Sequence, residues 1–313
     1  MFVAKRNSWT ATVVLGGDAL PRIWTRTLTV TLISIAVTFA YREVPALHYS
    51  ITPTPFTLIG LPLSIFLGFR NNTAYDRFWE GRRLWGSLVN TARSLTRQII
   101  TLIEPQPEAE IVGAPELHAQ EAAMVHMLIA YVHSLRHHLR DSDPFPTLER
   151  ILPADEVERF RGEQNVPIAI LQRIAMQMVE ARRKHWIHPL HVPVIEQSLT
   201  ALTDIQGGCE RIKSTPIPYS YTVLMHRIVA VYCSLLPFGL DETIGWATPV
   251  VVLFISYALF GLDAVGDEIE QPFGLDTNDL PLSTISRTIE ANLRVRIGEK
   301  PPPLFVPRDG ILP

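Results

Sequence analysis

The chain has 313 residues, a hydrophobic fraction of 47% and a mean hydropathy of +0.15, while its charged fraction of 19% lies below the ~25% usual for soluble domains. A net charge of -3 and a pI near 6.4 exclude the basic footprint of nucleic-acid binding, so no nucleic-acid partner is expected. The two cysteines, Cys209 in a polar segment and Cys233 in an apolar run, match neither a metal nor a disulfide pattern and are expected as reduced thiols.

In chain order, the opening MFVAKRNSWTATVVLGGDALPR has too short an apolar core and too poor a cleavage site for a secretory signal. Residues 1–22 are therefore expected as a cytoplasmic segment. The first apolar stretch runs over about Ile23–Tyr41, and the second over about Pro55–Phe69. The second is short for a bilayer, which takes about 20 residues of helix, and it contains Pro62. It passes without a break signal into polar sequence, giving LPLSIFLGFRNNTAYDRFWEGRRLWG over Leu61–Gly86. Leu61, Ile65 and Phe69 recur at i, i+4 and i+8 and so stack on one helical face. Such a stripe fits a core. On a short span with a charged continuation it also suits the lining of a pore.

Residues 71–217 read as a large helical insert. Leu84, Leu88, Ala92, Leu95, Ile99 and Leu102 mark one face of a helix over Arg83–Ile103. Met124, Leu128, Tyr131, Leu135 and Leu139 do the same over Glu121–Leu139. A third helix is expected over Val166–Lys184 and a fourth over about Val194–Arg211, after Pro189 and Pro193. No strand alternation and no solenoid repeat is seen. Two more apolar stretches follow, about Tyr221–Leu240, with His226 and Arg227 near its start, and about Gly245–Val265, which reads as a clean span. The Pro-rich end PPPLFVPRDGILP is expected to be extended.

Four apolar runs in two pairs, each pair joined by a short loop, favour two membrane hairpins over the competing reading of a soluble protein with four core helices. The expected organisation is an all-α membrane protein with four transmembrane helices: 1–22 N-terminal segment, 23–70 first hairpin, 71–217 cytoplasmic helical region, 218–265 second hairpin and 266–313 cytoplasmic C-terminal segment. Lys and Arg set the orientation. Lys5, Arg6, Arg22 and Arg26 precede the first span, Arg70, Arg77, Arg82 and Arg83 follow the second, and Arg211 and Lys213 precede the third. Between the paired spans only Arg42 occurs. Both termini and the insert are expected in the cytoplasm, beside a bacterial inner membrane.

No catalytic motif is present: GxSxG, HExxH, the phosphate loop and GxGxxG are all absent, and no enzyme is expected. His126, His133, His137 and His138 suggest a metal site less well than a solvated helix face or a subunit contact. The acidic run Asp267, Glu268, Glu270, Asp276 and Asp279 lacks the spacing of an EF-hand. It reads as a capped, solvated helix end, with a Ca²⁺ site as the alternative.

Several blocks together resemble the bestrophin family, bacterial branch. They are LPLSIFLGF at Leu61–Phe69, RNNTAYDRFWEGRRLWG at Arg70–Gly86, GGCERIKSTPIPYSYTVL at Gly207–Leu224 and EQPFGLDTNDL at Glu270–Leu280. The resemblance covers nearly the whole chain. It implies an all-helical homopentameric ion channel with one central pore, whose neck is ringed by Leu61, Ile65 and Phe69. It places a cytoplasmic aperture at Val194, from PVIEQSL at Pro193–Leu199, with Leu190 as the alternative. It also puts Asp276 and Asp279 at the positions of two calcium-binding aspartates. Leu275, Thr277, Asn278 and Leu280 replace much of the family's acidic run, and the start of the chain leaves no counterpart of the N-terminal carbonyl that completes the site. Weak or no calcium gating is expected, and no cofactor is required. The expected partners are further copies of the chain, membrane lipid and small permeant ions. Three apolar rings carry no charge to choose the sign of the ion. Chloride is the family default, a monovalent cation (sodium or potassium) is the alternative favoured by Asp241 and Glu242 on the outer side, and a non-conducting membrane scaffold is the alternative of another class.

Overall fold

The computed structural model describes residues 19–44, 52–107, 109, 113–307 and 312. The expected reading of residues 1–18, with Lys5 and Arg6, and of 308–311 and 313 in the Pro-rich tail lies outside the described residues. Among the described residues there is no strand, only an isolated bridge between Ile103 and Ile187. The helices are α1 (Ala19–Glu43), α2 (Thr54–Leu102), α3 (Ala114–Leu139), α4 (Phe145–Leu148), α5 (Ala154–Phe160), α6 (Val166–Arg183), α7 (Val192–Ser214), α8 (Tyr219–Ile244), α9 (Thr248–Ile269) and α10 (Leu282–Arg296).

Besides the short α4 and α5, which were not expected, two of these differ from the sequence reading. The stretches read as 55–69 and 83–103 belong to one unbroken helix, α2, of 49 residues. Nothing between them can stop a helix: Asn71–Arg83 contains a single glycine and no proline. Helix α10 was not expected. Its apolar face is sparse, with Leu282, Ile289 and Leu293 buried beside Ser286 and Ala291.

The chain divides into two compact units, one formed by the described parts of 4–79 with 215–271, the other by 80–214 with 272–313. The first has an apolar core of Ile23 and Val30 from α1, Leu63 and Leu67 from α2, Met225, Val229, Cys233 and Leu236 from α8, and Val252, Phe260 and Ala264 from α9. Two stretches in this unit are long and apolar enough to cross a membrane, Ile23–Glu43 and Tyr219–Ile269. The second holds α8 and α9 around a turn at Gly245, whose φ of +57° puts it in the left-handed region that favours glycine. Gly239 lets α8 approach α2, since a Cβ there would overlap the Phe56 ring. The stretch Gly245–Val265, read as a clean span, lies within Tyr219–Ile269 and carries one buried charge, Asp263, 1% exposed.

In the second unit α3 is the central element. Met124, Val125, Leu128, Ile129, Tyr131 and Leu135 have no exposed surface, so the helix is enclosed on more than one face. The Tyr131 hydroxyl is satisfied there by donating to the Leu202 carbonyl at 2.9 Å. Helix α6 starts at Asn165, whose side chain accepts from the Ile168 amide at 3.3 Å, an N-cap. Both cysteines are free and buried, Cys209 in this unit and Cys233 in the other.

Candidate functional site

Helix α2 is strongly sided over its first turns. Leu61, Ile65 and Phe69 are 69%, 50% and 61% exposed, whereas Leu63 and Leu67, facing the core, are 3% and 1% exposed. The three exposed side chains are spread over eight residue steps, about 12 Å of helix rise. Ser64, between them, turns its hydroxyl back on the Gly60 carbonyl at 2.8 Å, and Thr73 does the same with Phe69 at 3.0 Å. These hydroxyls are engaged within their own helix. The face therefore presents hydrocarbon to its surroundings.

One residue beyond Phe69 the chemistry reverses. Arg70 has a side chain with no exposed surface, and it reaches two aspartates one turn apart on α9. Its Nη1 donates to Asp263 Oδ1 at 2.8 Å and to the Asp263 carbonyl at 3.3 Å, and its Nη2 donates to Asp267 Oδ1. The other oxygen of each carboxylate faces His226 on α8, with Nε2 3.3 Å from Asp263 Oδ2 and 3.1 Å from Asp267 Oδ2. Arg26 of α1 completes the ring at 3.9 Å from Asp263 Oδ2, and is half exposed. Beside it, Asn71 Nδ2 donates to the Leu262 carbonyl at 3.0 Å. All four long helices of this unit contribute. Buried charges persist only when paired, and here two carboxylates meet one fully buried guanidinium.

The aperture positions lie in the other unit. Val194, early in α7, is 44% exposed, and Leu190, in the single 3-10 turn Pro189–His191 that precedes α7, is 75% exposed.

The sequence model of the bacterial/fungal bestrophin proteins matches residues 1–295. The chain belongs to the bestrophin family. It is 40% identical over 283 residues, 90% of each chain, to a voltage-dependent anion channel-forming protein of Ralstonia nicotianae. It is 33% identical to one of Escherichia coli K12, over 94% of this chain and 93% of the relative. The structure resembles the crystal structure of a bacterial bestrophin homologue from Klebsiella pneumoniae with a TM-score of 0.82 at 35% identity, covering 89% of this chain and all of that one.

In this bestrophin the loop after α9 is held by protein groups. The Asp276 amide donates to Asp279 Oδ2 at 2.8 Å, and the Asp279 amide donates back to the Asp276 carbonyl at 3.0 Å. Arg140 of α3 spans the loop, donating to Phe273 O at 3.3 Å, Leu280 O at 3.4 Å and Ser283 Oγ at 2.9 Å. Burial lowers the Arg140 pKa, and Asp279 opposes that shift. Asp279 is therefore buried, at 4% exposure, rather than on a solvated helix end.

The four histidines of α3 do not converge. His126 pairs with Glu299 at 2.8 Å, His133 with Glu290 at 3.0 Å and His138 with Glu210 at 3.0 Å. His137 Nδ1 meets Ser142 Oγ at 2.8 Å. The expectation of a solvated helix face fails at His133, which is 1% exposed. Burial lowers the His133 pKa, against its bond to Glu290. Glu290 is pushed up by burial, but its bonds to His133 and Arg294 and the Arg287 charge outweigh this and bring it to about 2.

Sequence reasoning missed the Arg70 cluster. The signal was present as three ionisable residues, Arg70, His226 and Asp263, each inside or bordering an apolar run, where such a group needs a partner.

Proposed function

We propose that this bestrophin is an anion channel, chloride foremost, built as a homopentamer around one central pore. Each subunit would cross the bacterial inner membrane four times, with α1, the first part of α2, α8 and α9, and with both termini and the 80–214 unit in the cytoplasm. Five copies of Leu61, Ile65 and Phe69 would form three apolar rings, and Val194 would line a cytoplasmic aperture. Asp276 and Asp279 would support weak or no calcium gating, and no cofactor would be required for conduction.

One observation carries this reading. The face of α2 that the resemblance places at the neck is open, with Leu61, Ile65 and Phe69 at least half exposed. A lone soluble chain has no reason to leave three large apolar side chains open on a helix whose core side buries Leu63 and Leu67. Covered by symmetry-related copies, they would line a bore that conducts when wet and closes when it dewets. Selectivity would then come from charge outside the rings. On the outer side the expected acidic loop is reduced, since Asp241 lies within α8 and is only 3% exposed, while Arg42 stacks over Trp246 with its Cζ 5.7 Å from the ring centroid. This weakens the case for a cation channel and leaves the anion reading in front. The relatives' names, anion channel-forming proteins, point the same way.

The test is the reversal potential of the purified full chain in bilayers under a potassium chloride gradient. A value near the chloride equilibrium potential supports the proposal. A value near the potassium potential makes it a cation channel, and absence of current from a well-folded oligomer makes it a scaffold.

A further inference from the structure

The Arg70 cluster divides its carboxylate oxygens in two. Both Oδ1 atoms are taken by Arg70, while both Oδ2 atoms point at His226 Nε2. These three ligand atoms lie within 4.8 Å of one another. Ligands bound at about 2.1 Å to a first-row divalent ion stand roughly 3.0 Å apart at a right angle and roughly 3.4 Å apart at the tetrahedral angle. The observed separations of 3.1 and 3.3 Å fall between these values. Asp263 Oδ2 supplies an independent sign. It belongs to a side chain 1% exposed, it is buried, and it has no hydrogen-bond partner, although a buried anionic oxygen without a donor is costly. On the other side the His226 and Asp267 side chains are 31% and 37% exposed, enough to admit an ion and its remaining waters.

We propose that His226 Nε2, Asp263 Oδ2 and Asp267 Oδ2 form a binding site for a divalent transition cation such as Zn²⁺, with water in the remaining positions. Arg70 orients the two carboxylates through their other oxygens, as outer-shell donors do in metal sites. It also balances charge. Arg70 and the half-exposed Arg26 offset the charge of the two carboxylates, and imidazole plus carboxylate is a donor set for Zn²⁺ and its first-row neighbours. The ion takes the Nε2 lone pair, so a proton competes for the same atom. Arg26, Arg70 and the two aspartates are the charged groups that face it. Bound there, the ion would clamp α8 to α9 one residue beyond Phe69. Its predicted effect on conduction, block of the channel, rests on the function proposed above, whereas its binding does not.

The experiment uses the chelator-stripped full chain in detergent, with Co²⁺ as the probe. The expected result is visible d–d absorption saturating at one Co²⁺ per chain and abolished by excess Zn²⁺. His226→Gln and Asp267→Asn alter the two more exposed ligands. Each is expected to weaken binding by about tenfold or more, at least the cost of losing an outer-shell partner, while oligomer size and melting are retained. Failure of wild type to bind Co²⁺, or equal affinity in wild type and both variants, overturns the site. A companion chloride-flux assay separates the two claims. Zn²⁺ block in wild type and its loss in His226→Gln supports both, and binding in a chain that never conducts supports the metal site while refuting the channel.

Discussion

Replacing Arg70 tests how the apolar unit is held together. Arg70→Met keeps a long apolar stem and removes the guanidinium, leaving Asp263, 1% exposed, without its two donated contacts of 2.8 and 3.3 Å. Breaking a buried ion pair by removing one partner costs about 3–5 kcal/mol, because the remaining charge is stranded. In a chain of this size each kcal/mol moves the melting temperature by roughly 2 °C, so the variant should melt about 6–10 °C below wild type. Adding Asp263→Asn removes the stranded charge, and the double variant should recover a substantial part of the loss. The assay is thermal unfolding of the purified protein in detergent, followed by tryptophan fluorescence. The reasoning is refuted if Arg70→Met melts with wild type, or if Asp263→Asn worsens it by the full additive amount, since coupled groups in contact must deviate from additivity.

Two further predictions concern the other unit. Burial first, and the Arg136 charge second, bring His137 down to about 4, below its ordinary value near 6.5. Between those values the unfolded chain binds more protons than the folded one. Stability should therefore be complete above about pH 6.5 and decline as pH falls towards 4, with His137→Asn flattening that slope in melting scans. No change of slope would discharge His137 from the role. Asp276→Ala should leave currents equally insensitive to calcium, because too few oxygens are offered for tight binding. A steep calcium dependence in wild type that is lost in the variant would contradict this.

How much of this was legible in the sequence depended on locality. Helical periods are local, and they located α3, α6 and α7 and put Leu61, Ile65 and Phe69 on one side of α2. The continuity of α2 was half visible: no break signal follows Phe69, but an apolar face could be traced only over 55–69 and 83–103, because the residues between them are polar and carry no period. The partners of Arg70 lie 193 and 197 residues away, beyond any spacing rule, and Asp263 was hidden by the hydropathy of its neighbours. The α3 histidines show the converse limit. Their polarity suggested a solvated face, but four helix positions in little over three turns point in different directions, and each found its own partner.

The central claim is that the exposed Leu61, Ile65 and Phe69 face lines the ion path. Single-channel recording of reconstituted wild type and the Leu61→Ala/Ile65→Ala/Phe69→Ala variant tests it most directly. Removing three apolar rings should raise the unitary conductance and leave the reversal potential where it was, because the rings carry no charge. Identical unitary currents in the two proteins would contradict the account.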